Sequence, residues 1–266
     1  MTQLTLEVRN KDGAVLSSVS GMGCAEMAYI SEYAEGDSVA VKLSETDVYL
    51  MLQFDDAMGE EFVFMKEPEL AFSVPFGEKR IPYSPKAFYG DKHVLKARLA
   101  TDAEIAMYKN LACNRYDQHG EPGCYPHAHA NVETRGESCF AAKNAINGNC
   151  CNLSHGAWPY ESWGINMQDD AEITIEFGRT VVIDRMVLVT RADFPHDNYW
   201  QEVSFTFSDG STLVRKLEKS VAPHDIPLPE KKNVTWIKLG QLIKDPDDPS
   251  PFPALTQWEV YGTETK

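Results

Sequence analysis

The chain has 266 residues, 43% of them hydrophobic, a length that suits one large β domain or two ordinary ones. Its formal net charge is −15, whereas proteins that bind phosphate backbones or anionic lipid surfaces do so through clustered Lys and Arg. The charge therefore argues against nucleic acid and against a membrane as partners. No apolar run approaches the roughly 18 residues of a membrane span.

The N-terminus alternates polar and apolar side chains, whereas a secretory signal has a basic start and an unbroken apolar stretch. The sequence thus predicts no export signal and a cytoplasmic protein. Because disulfides are rare in that compartment, we expect reduced thiols. The six cysteines are Cys24, Cys113, Cys124, Cys139, Cys150 and Cys151.

Short runs of β-branched and aromatic residues, separated by Gly, Pro, Asn and Asp, fill the first hundred positions. Val39, Val41 and Leu43 alternate with polar neighbours, as in a half-buried strand. The predicted strands are 3–8, 38–43, 48–54, 61–65 and 70–74.

The pattern changes between positions 101 and 111, where Thr101 and Glu104 have the spacing of a helix capping box. We predict a short helix or linker there. It divides the chain into an N-terminal β domain, 1–103, and a C-terminal domain, 104–266. A single continuous sandwich is the alternative.

The C-terminal part again shows strand periodicity. Ile173, Ile175 and Phe177 fall on one face of an extended segment, and the polar residues between them fall on the other. This pattern is typical of an antiparallel sandwich. The predicted strands are 171–177, 181–190, 202–207, 212–217, 234–239 and 257–261.

Five segments of this part follow one another in the order found in a known family. They are FAAKNAING at 140–148, ESW at 161–163, DAEITIEFG at 170–178, VIDRMVL at 182–188 and WEVYG at 258–262. Together they resemble the discoidin, or coagulation factor C-domain, family. The resemblance covers most of residues 130–266 and implies a galactose-binding-like jelly roll. The fold class we predict is all-β: this antiparallel β-sandwich, preceded by a second, smaller β domain.

Members of that family commonly bind carbohydrate in loops at one end of the sandwich, and sometimes bind lipid headgroups or protein. The family's first segment has Asp before its last Gly and often contributes to a structural calcium site, whereas this chain has Asn147. An amide oxygen of Asn147 and the carboxylate of Glu259 are our candidate calcium ligands. A metal-free Asn-Gly turn is the equal alternative.

Two loops rich in polar and aromatic residues, 155–163 and 191–200, have the composition of a sugar site, which needs an aromatic platform beside bidentate polar groups. Two alternatives stay open: the tryptophans, Trp163 above all, pack in the core, and Arg191 pairs with Asp193. The stiff loop 244–253, with four prolines, either offers Phe252 to the ligand or covers the core. The predicted ligand contacts are His155, Trp158, Arg191, Asp193, His196, Asn198 and Trp200.

Cysteines and histidines between positions 113 and 139 raise the question of zinc, since thiolate and imidazole are its preferred ligands. Their spacing is that of no standard zinc finger, so the sequence argues against zinc. If the segment is extended, His127 and His129 face the same side. The residues concerned are Cys113, His119, Cys124, His127, His129 and Cys139.

The sequence lacks the usual catalytic motifs, including a Gly-x-Ser-x-Gly elbow, a phosphate loop and His-Glu-x-x-His. It therefore favours a non-catalytic carbohydrate-binding protein. One alternative is a carbohydrate-active or metal-dependent enzyme that uses Arg191, Asp193 and His196 as charge stabiliser and acid/base pair. The other is an interaction module that docks on a partner or forms a homo-oligomer.

Overall fold

A computed structural model describes residues 2–120, 122–191 and 193–265 of the chain. Nearly all of its regular structure is antiparallel β-sheet, which confirms the predicted all-β class. Within these residues no helix is long and apolar enough to cross a membrane.

The first half of the chain forms two antiparallel sheets whose apolar faces share one core. One sheet has the strand order β2-β1-β4-β7 and the other has the order β3-β8-β5-β6. Their common core includes Leu6, Val41, Leu52 and Phe72. The strands are β1 Gln3–Arg9, β2 Val15–Met22, β3 Cys24–Tyr29, β4 Ser38–Leu43, β5 Val48–Gln53, β6 Glu61–Met65, β7 Glu69–Ser73 and β8 His93–Leu99.

The second half forms one eight-stranded sheet, in the order β11-β16-β12-β15-β13-β14, with β10 paired to β12 and β9 paired to β16. Long bent strands close it around a second core that contains Trp163, Trp200 and Trp258. The strands are β9 Lys109–Asn110, β10 His127–Ala130, β11 Trp163–Gly164, β12 Ile173–Thr190, β13 Trp200–Phe207, β14 Thr212–Lys216, β15 His224–Lys244 and β16 Ala254–Glu264.

The helices are short. Helix α1 spans Asp102–Ala106, and its capping box joins Thr101 and Glu104 as the sequence predicts. The 3-10 helices are Gly77–Arg80, Thr134–Gly136, Ser138–Phe140 and Ala142–Ile146.

The predicted strand pair 171–177 and 181–190 is one bent strand, β12, whose pairing register with β15 shifts between Glu176 and Val181. Gly178 lies at this bulge with φ +69°, and an added Cβ would lie 2.4 Å from the Tyr125 ring. Only glycine combines that backbone conformation with so close an approach.

The two cores meet in the segment that follows α1. Leu111 and Ala112 belong to the C-terminal core, whereas Tyr116 and Cys124 belong to the N-terminal core. The chain therefore enters the C-terminal sheet at β9, crosses back to the N-terminal core between 116 and 124, and returns to the C-terminal sheet at β10. The division into domains at 103 and 104 stays a prediction.

Candidate functional site

Loops that follow β10, β11, β12 and β15 surround an open cleft with an empty volume of about 500 Å³, which we name the row cleft. It lies beside the C-terminal core. It is lined by Thr134, Arg135, Phe140, His155, Gly164, Ile165, Asn166, Met167, Arg191, His196, Phe252, Pro253 and Ala254.

Four aromatic rings of this lining stack in a single row. The ring centroids are 6.2 Å apart for Phe140 and His155, 4.4 Å for His155 and His196, and 5.4 Å for His196 and Phe252. Neighbouring planes differ by 27° or less. Because the inner ring faces cover one another, a ligand meets the ring edges and the outer face of Phe252. The imidazole nitrogens lie in the ring planes and so at these edges.

A buried ion pair stands behind the row. Arg191 Nε donates to Asp197 Oδ2 at 2.9 Å, and Arg191 Nη2 donates to Asp197 Oδ1, a two-point contact that fixes the guanidinium plane. The guanidinium also lies 5.7 Å from the centroid of the Phe140 ring. Arg191 Nη1, on the side of the fork away from Asp197, is buried and has no hydrogen-bond partner among the described residues.

Asp197 also orients His196. Burial disfavours its carboxylate, but hydrogen bonds and the charge of Arg191 outweigh burial, so the pKa of Asp197 lies below its usual 3.8. His196 Nδ1 lies 3.0 Å from Asp197 Oδ1. Arg191 Nη2 also lies 3.4 Å from His196 Nδ1, so this ring nitrogen faces both members of the ion pair.

His155 is held by its backbone and is neutral in neutral solution. Its amide N donates to Asp193 Oδ2 at 2.7 Å. Burial and the positive charge of Arg191 lower the pKa of His155 from its ordinary 6.5. His155 therefore presents an uncharged imidazole to a ligand at neutral pH.

One buried amide fixes the proline-rich loop that carries Phe252. Asn198 Nδ2 points at the carbonyl oxygens of Asp245, Asp248 and Ser250, at 3.1, 3.4 and 2.7 Å. Ser250 Oγ donates to the carbonyl of His196. These bonds tie the loop that bears Phe252 to the loop that bears His196.

Three non-glycine residues of the row cleft have left-handed backbones: Arg135, Asn166 and Met167, with φ of 52°, 50° and 60°. Such conformations cost free energy outside glycine and are concentrated at binding and catalytic sites. Their grouping in one cleft marks this surface as a site.

A second open cleft, the junction cleft, has an empty volume of about 570 Å³ and is lined by residues from both halves of the chain. Met58 and Tyr83 come from the N-terminal half, and Lys143 and Glu161 come from the C-terminal half.

Of the predicted ligand contacts, the structure brings His155, Arg191 and His196 together in the lining of the row cleft. Asp193 supports His155 from beside it. Trp158 does not join them, because it lines the junction cleft. The alternative pairing of Arg191 with Asp193 is corrected, since Arg191 pairs with Asp197.

Two predicted contacts lie in the interior, which corrects their assignment to the ligand surface. Trp200 is fully buried and packs 6.3 Å from Trp163, ring centroid to centroid. Asn198 is buried and its amide is used by the proline-rich loop. Trp163, expected to be structural, is also fully buried.

Sequence reasoning missed Phe140 and the role of Asp197 and Arg135. Phe140 opens the segment FAAKNAING, where it is indistinguishable from a core residue. Asp197 stands among other carboxylates and histidines, and only the turn after β12 shows which of them reaches Arg191. The proline-rich loop did suggest Phe252.

The two candidate calcium ligands contact different neighbours. Asn147 Nδ2 faces Glu161 Oε1 at 3.5 Å, and its Oδ1 accepts from the amide of Asn149 at 2.8 Å. Glu259 accepts from the hydroxyl of Tyr261 at 3.0 Å. A calcium site at these residues stays a prediction.

The cysteines and histidines considered for zinc do not form a group within ligand distance in the described parts of the chain, although His127 and His129 do stack at 5.9 Å. The group that those parts contain is Asp55, Asp56 and His93. His93 Nδ1 faces Asp55 and its Nε2 faces the carbonyl of Gly90. With both nitrogens engaged, His93 acts as a structural link between loops.

No protein-family model matches the chain, and no curated protein matches it. Solved structures that it resembles include chitosan-binding module 1 of a chitosanase/glucanase from Paenibacillus sp. IK-5, with 18% identity over 57% of this chain and 98% of that one, at a TM-score of 0.38. A family 32 carbohydrate-binding module from C. perfringens NanJ, in complex with galactose, shows 14% identity over 58% and 99%, with a TM-score of 0.41. The lectin domain of lectinolysin, complexed with Lewis B antigen, shows 17% identity over 58% and 97%, with a TM-score of 0.42.

These are carbohydrate-binding modules and a lectin domain, the kind of β-sandwich that the order of the five sequence segments resembles. At such identities and TM-scores the likeness carries no argument about what this chain binds. That question turns on the clefts themselves.

Proposed function

We propose that this chain is a non-catalytic carbohydrate-binding protein whose ligand occupies the row cleft. The observation that carries the proposal is the stacked row of Phe140, His155, His196 and Phe252 beside the fixed guanidinium of Arg191. A sugar ring has an apolar face of C–H groups and a rim of hydroxyls, so it fits a site that combines aromatic surface with fixed polar groups.

Each part of the ligand has a counterpart in the cleft. The outer face of Phe252, which is 41% exposed, offers a platform for the C–H face. The neutral imidazole of His155 has one acceptor nitrogen, which suits a hydroxyl hydrogen. Arg191 Nη1 has no hydrogen-bond partner in the part of the chain that the structure describes, and a hydroxyl oxygen that reached this buried atom would satisfy a donor that is costly to leave unmet.

The carboxylates of the cleft favour binding over catalysis. Asp197 is committed to Arg191 and His196, and Asp193 is committed to the backbone of His155. A general acid/base pair needs carboxyl groups that face the substrate at a defined separation. Here both carboxylates hold protein groups in place.

The test compares variants on a panel of immobilised glycans. Phe252→Ala and Arg191→Lys should each weaken binding about tenfold. Phe252→Ala removes a stacking platform, and Arg191→Lys removes the planar guanidinium group. Tyr89→Ala is the matched control, because Tyr89 is an exposed ring outside both clefts. Equal binding by both variants and wild type, with unchanged circular dichroism, would refute the site.

A further inference from the structure

The junction cleft has its own aromatic surface. Trp158 is 38% exposed, whereas Trp163, Trp200 and Trp258 are fully buried. Tyr83 lines the same cleft, and Lys143 Nζ lies 4.4 Å from the centroid of its ring. An indole, a phenol and an ammonium group therefore line one cleft, which gives it both aromatic and charged surface.

The cleft also holds a buried carboxylate, Glu161, and an ammonium group, Lys143, neither of which is within salt-bridge distance of an opposite charge among the described residues. Glu161 is 3% exposed, and it accepts from Asn149 Nδ2 at 2.5 Å and from the amide of Tyr160 at 3.0 Å. Lys143 Nζ donates to Asn144 Oδ1 at 3.3 Å, and its charge acts on the buried carboxylate of Asp117, which lines the same cleft. A buried carboxylate without a cation is costly unless further donors reach it.

The rest of the wall is fixed. Arg115 Nε donates to Glu61 Oε2 at 2.7 Å, and Arg115 Nη1 donates to the carbonyl of Met58 at 2.5 Å. These bonds join the two halves of the chain at the floor of the cleft and neutralise the guanidinium. The second carboxylate of the lining, Asp117, is engaged by His127 Nδ1 at 2.7 Å and by the amide of Ala128 at 2.9 Å. The groups left for a ligand are thus the carboxylate of Glu161, the ammonium group of Lys143 and two aromatic rings.

We propose that the junction cleft is a second saccharide site, which takes one neutral sugar unit. Trp158 would cover its C–H face, Glu161 would accept from its hydroxyls, and Lys143 would donate to a hydroxyl oxygen. The ligand is neutral because the lining carries charges of both signs, so a charged ligand would be attracted by one sign and repelled by the other. This site rests on its own lining and needs no ligand in the row cleft.

The test uses the indole N–H signal of Trp158, assigned by its absence from Trp158→Phe. The lining of the row cleft contains no tryptophan, so this signal reports on the junction cleft. ¹⁵N-labelled full-length protein is titrated with the methyl glycosides of galactose, glucose, fucose and N-acetylglucosamine at high millimolar concentration. The proposal expects a saturable shift with at least one of them.

Variants decide which cleft is responsible. The shift should persist in Phe252→Ala and in the control Tyr89→Ala, and its dissociation constant should rise about tenfold in Glu161→Gln and in Lys143→Met. No shift with any glycoside would overturn the proposal. So would a shift that Phe252→Ala abolishes, or one that neither Glu161→Gln nor Lys143→Met weakens. Failure of the proposal for the row cleft has a different readout: glycan binding by Phe252→Ala would then equal that of wild type.

Discussion

Arg191 and Asp197 form a buried ion pair on which both the fold and the candidate site depend. Asp197→Asn leaves a buried guanidinium without its charge partner, so we expect a loss of about 3–5 kcal/mol in the free energy of unfolding, measured in urea at neutral pH. The matched control is Asp225→Asn, which breaks the exposed pair of Asp225 with Arg185 and should leave the free energy of unfolding nearly unchanged, because solvent screens this pair. Equal losses in the two variants would contradict the structural role.

The same pair has a pH signature. Because the folded pKa of Asp197 lies below its unfolded value of 3.8, its contribution to stability is complete above that value and is lost as pH falls toward the folded pKa. Wild type should therefore show a steeper loss of stability in acid than Asp197→Asn. If the free energy of unfolding fell equally with decreasing pH in the two proteins, the pKa of Asp197 would not be depressed.

His155 should make ligand binding depend on pH. Its pKa is lowered from 6.5, so binding is constant from about pH 7 upward and weakens as the ring protonates below about pH 6. Protonation would add a positive charge beside Arg191 and remove an acceptor from the cleft. An NMR titration of the His155 ring, run with a pH series of dissociation constants, checks this; a folded pKa above 6.5 would contradict it.

Residue types in two loops were enough to indicate His155, Arg191 and His196, because aromatic and bidentate groups stand out in sequence. They could not separate Trp200 from an exposed Trp, since burial depends on which side of β13 faces the core. Nor could they reveal that Asn198 serves the backbone. Both errors concern the direction in which a side chain points, and the local sequence does not determine this direction.

At the scale of elements, Asn198 and the proline-rich loop act as a unit that positions Phe252. Asn198→Ala removes the amide that faces three carbonyls, so we expect the loop to exchange its amide hydrogens faster and the free energy of unfolding to fall by about 2–3 kcal/mol. Glycan binding should weaken with it. Asn233→Ala, on an exposed strand position, is the control.

Hydrogen exchange read by mass spectrometry over residues 244–253 reports this directly. Unchanged exchange in Asn198→Ala would mean that the prolines alone hold the loop.

Strands with clear alternation were predictable from sequence: β4 and β6 have the predicted bounds. β2 escaped because it is an exposed edge strand that reads VLSSVSGM, with no apolar face to detect. β3 and β8 were also missed. The sequence predicts a break between strands at Gly178, because a glycine that follows an alternating run looks the same at a bulge and at a turn.

At the scale of the molecule, the segment after α1 serves both cores. Tyr116 and Cys124 are buried in the N-terminal core, so a fragment of residues 1–103 lacks part of its own interior. We expect it to be less stable than a fragment of residues 1–126 by about 3 kcal/mol or more, the usual effect of losing a buried aromatic side chain. Urea unfolding of the two fragments measures this, and equal midpoints would support the boundary at 103 and 104.

The central claim is that this chain holds a sugar in the row cleft, and a glycan-array screen of the full-length protein tests it most directly. The array is run with calcium and again with a chelator, which also tests the candidate calcium ligands Asn147 and Glu259. The account predicts selective binding that Phe252→Ala weakens and Tyr89→Ala does not. A silent array with well-folded protein in both conditions would contradict it.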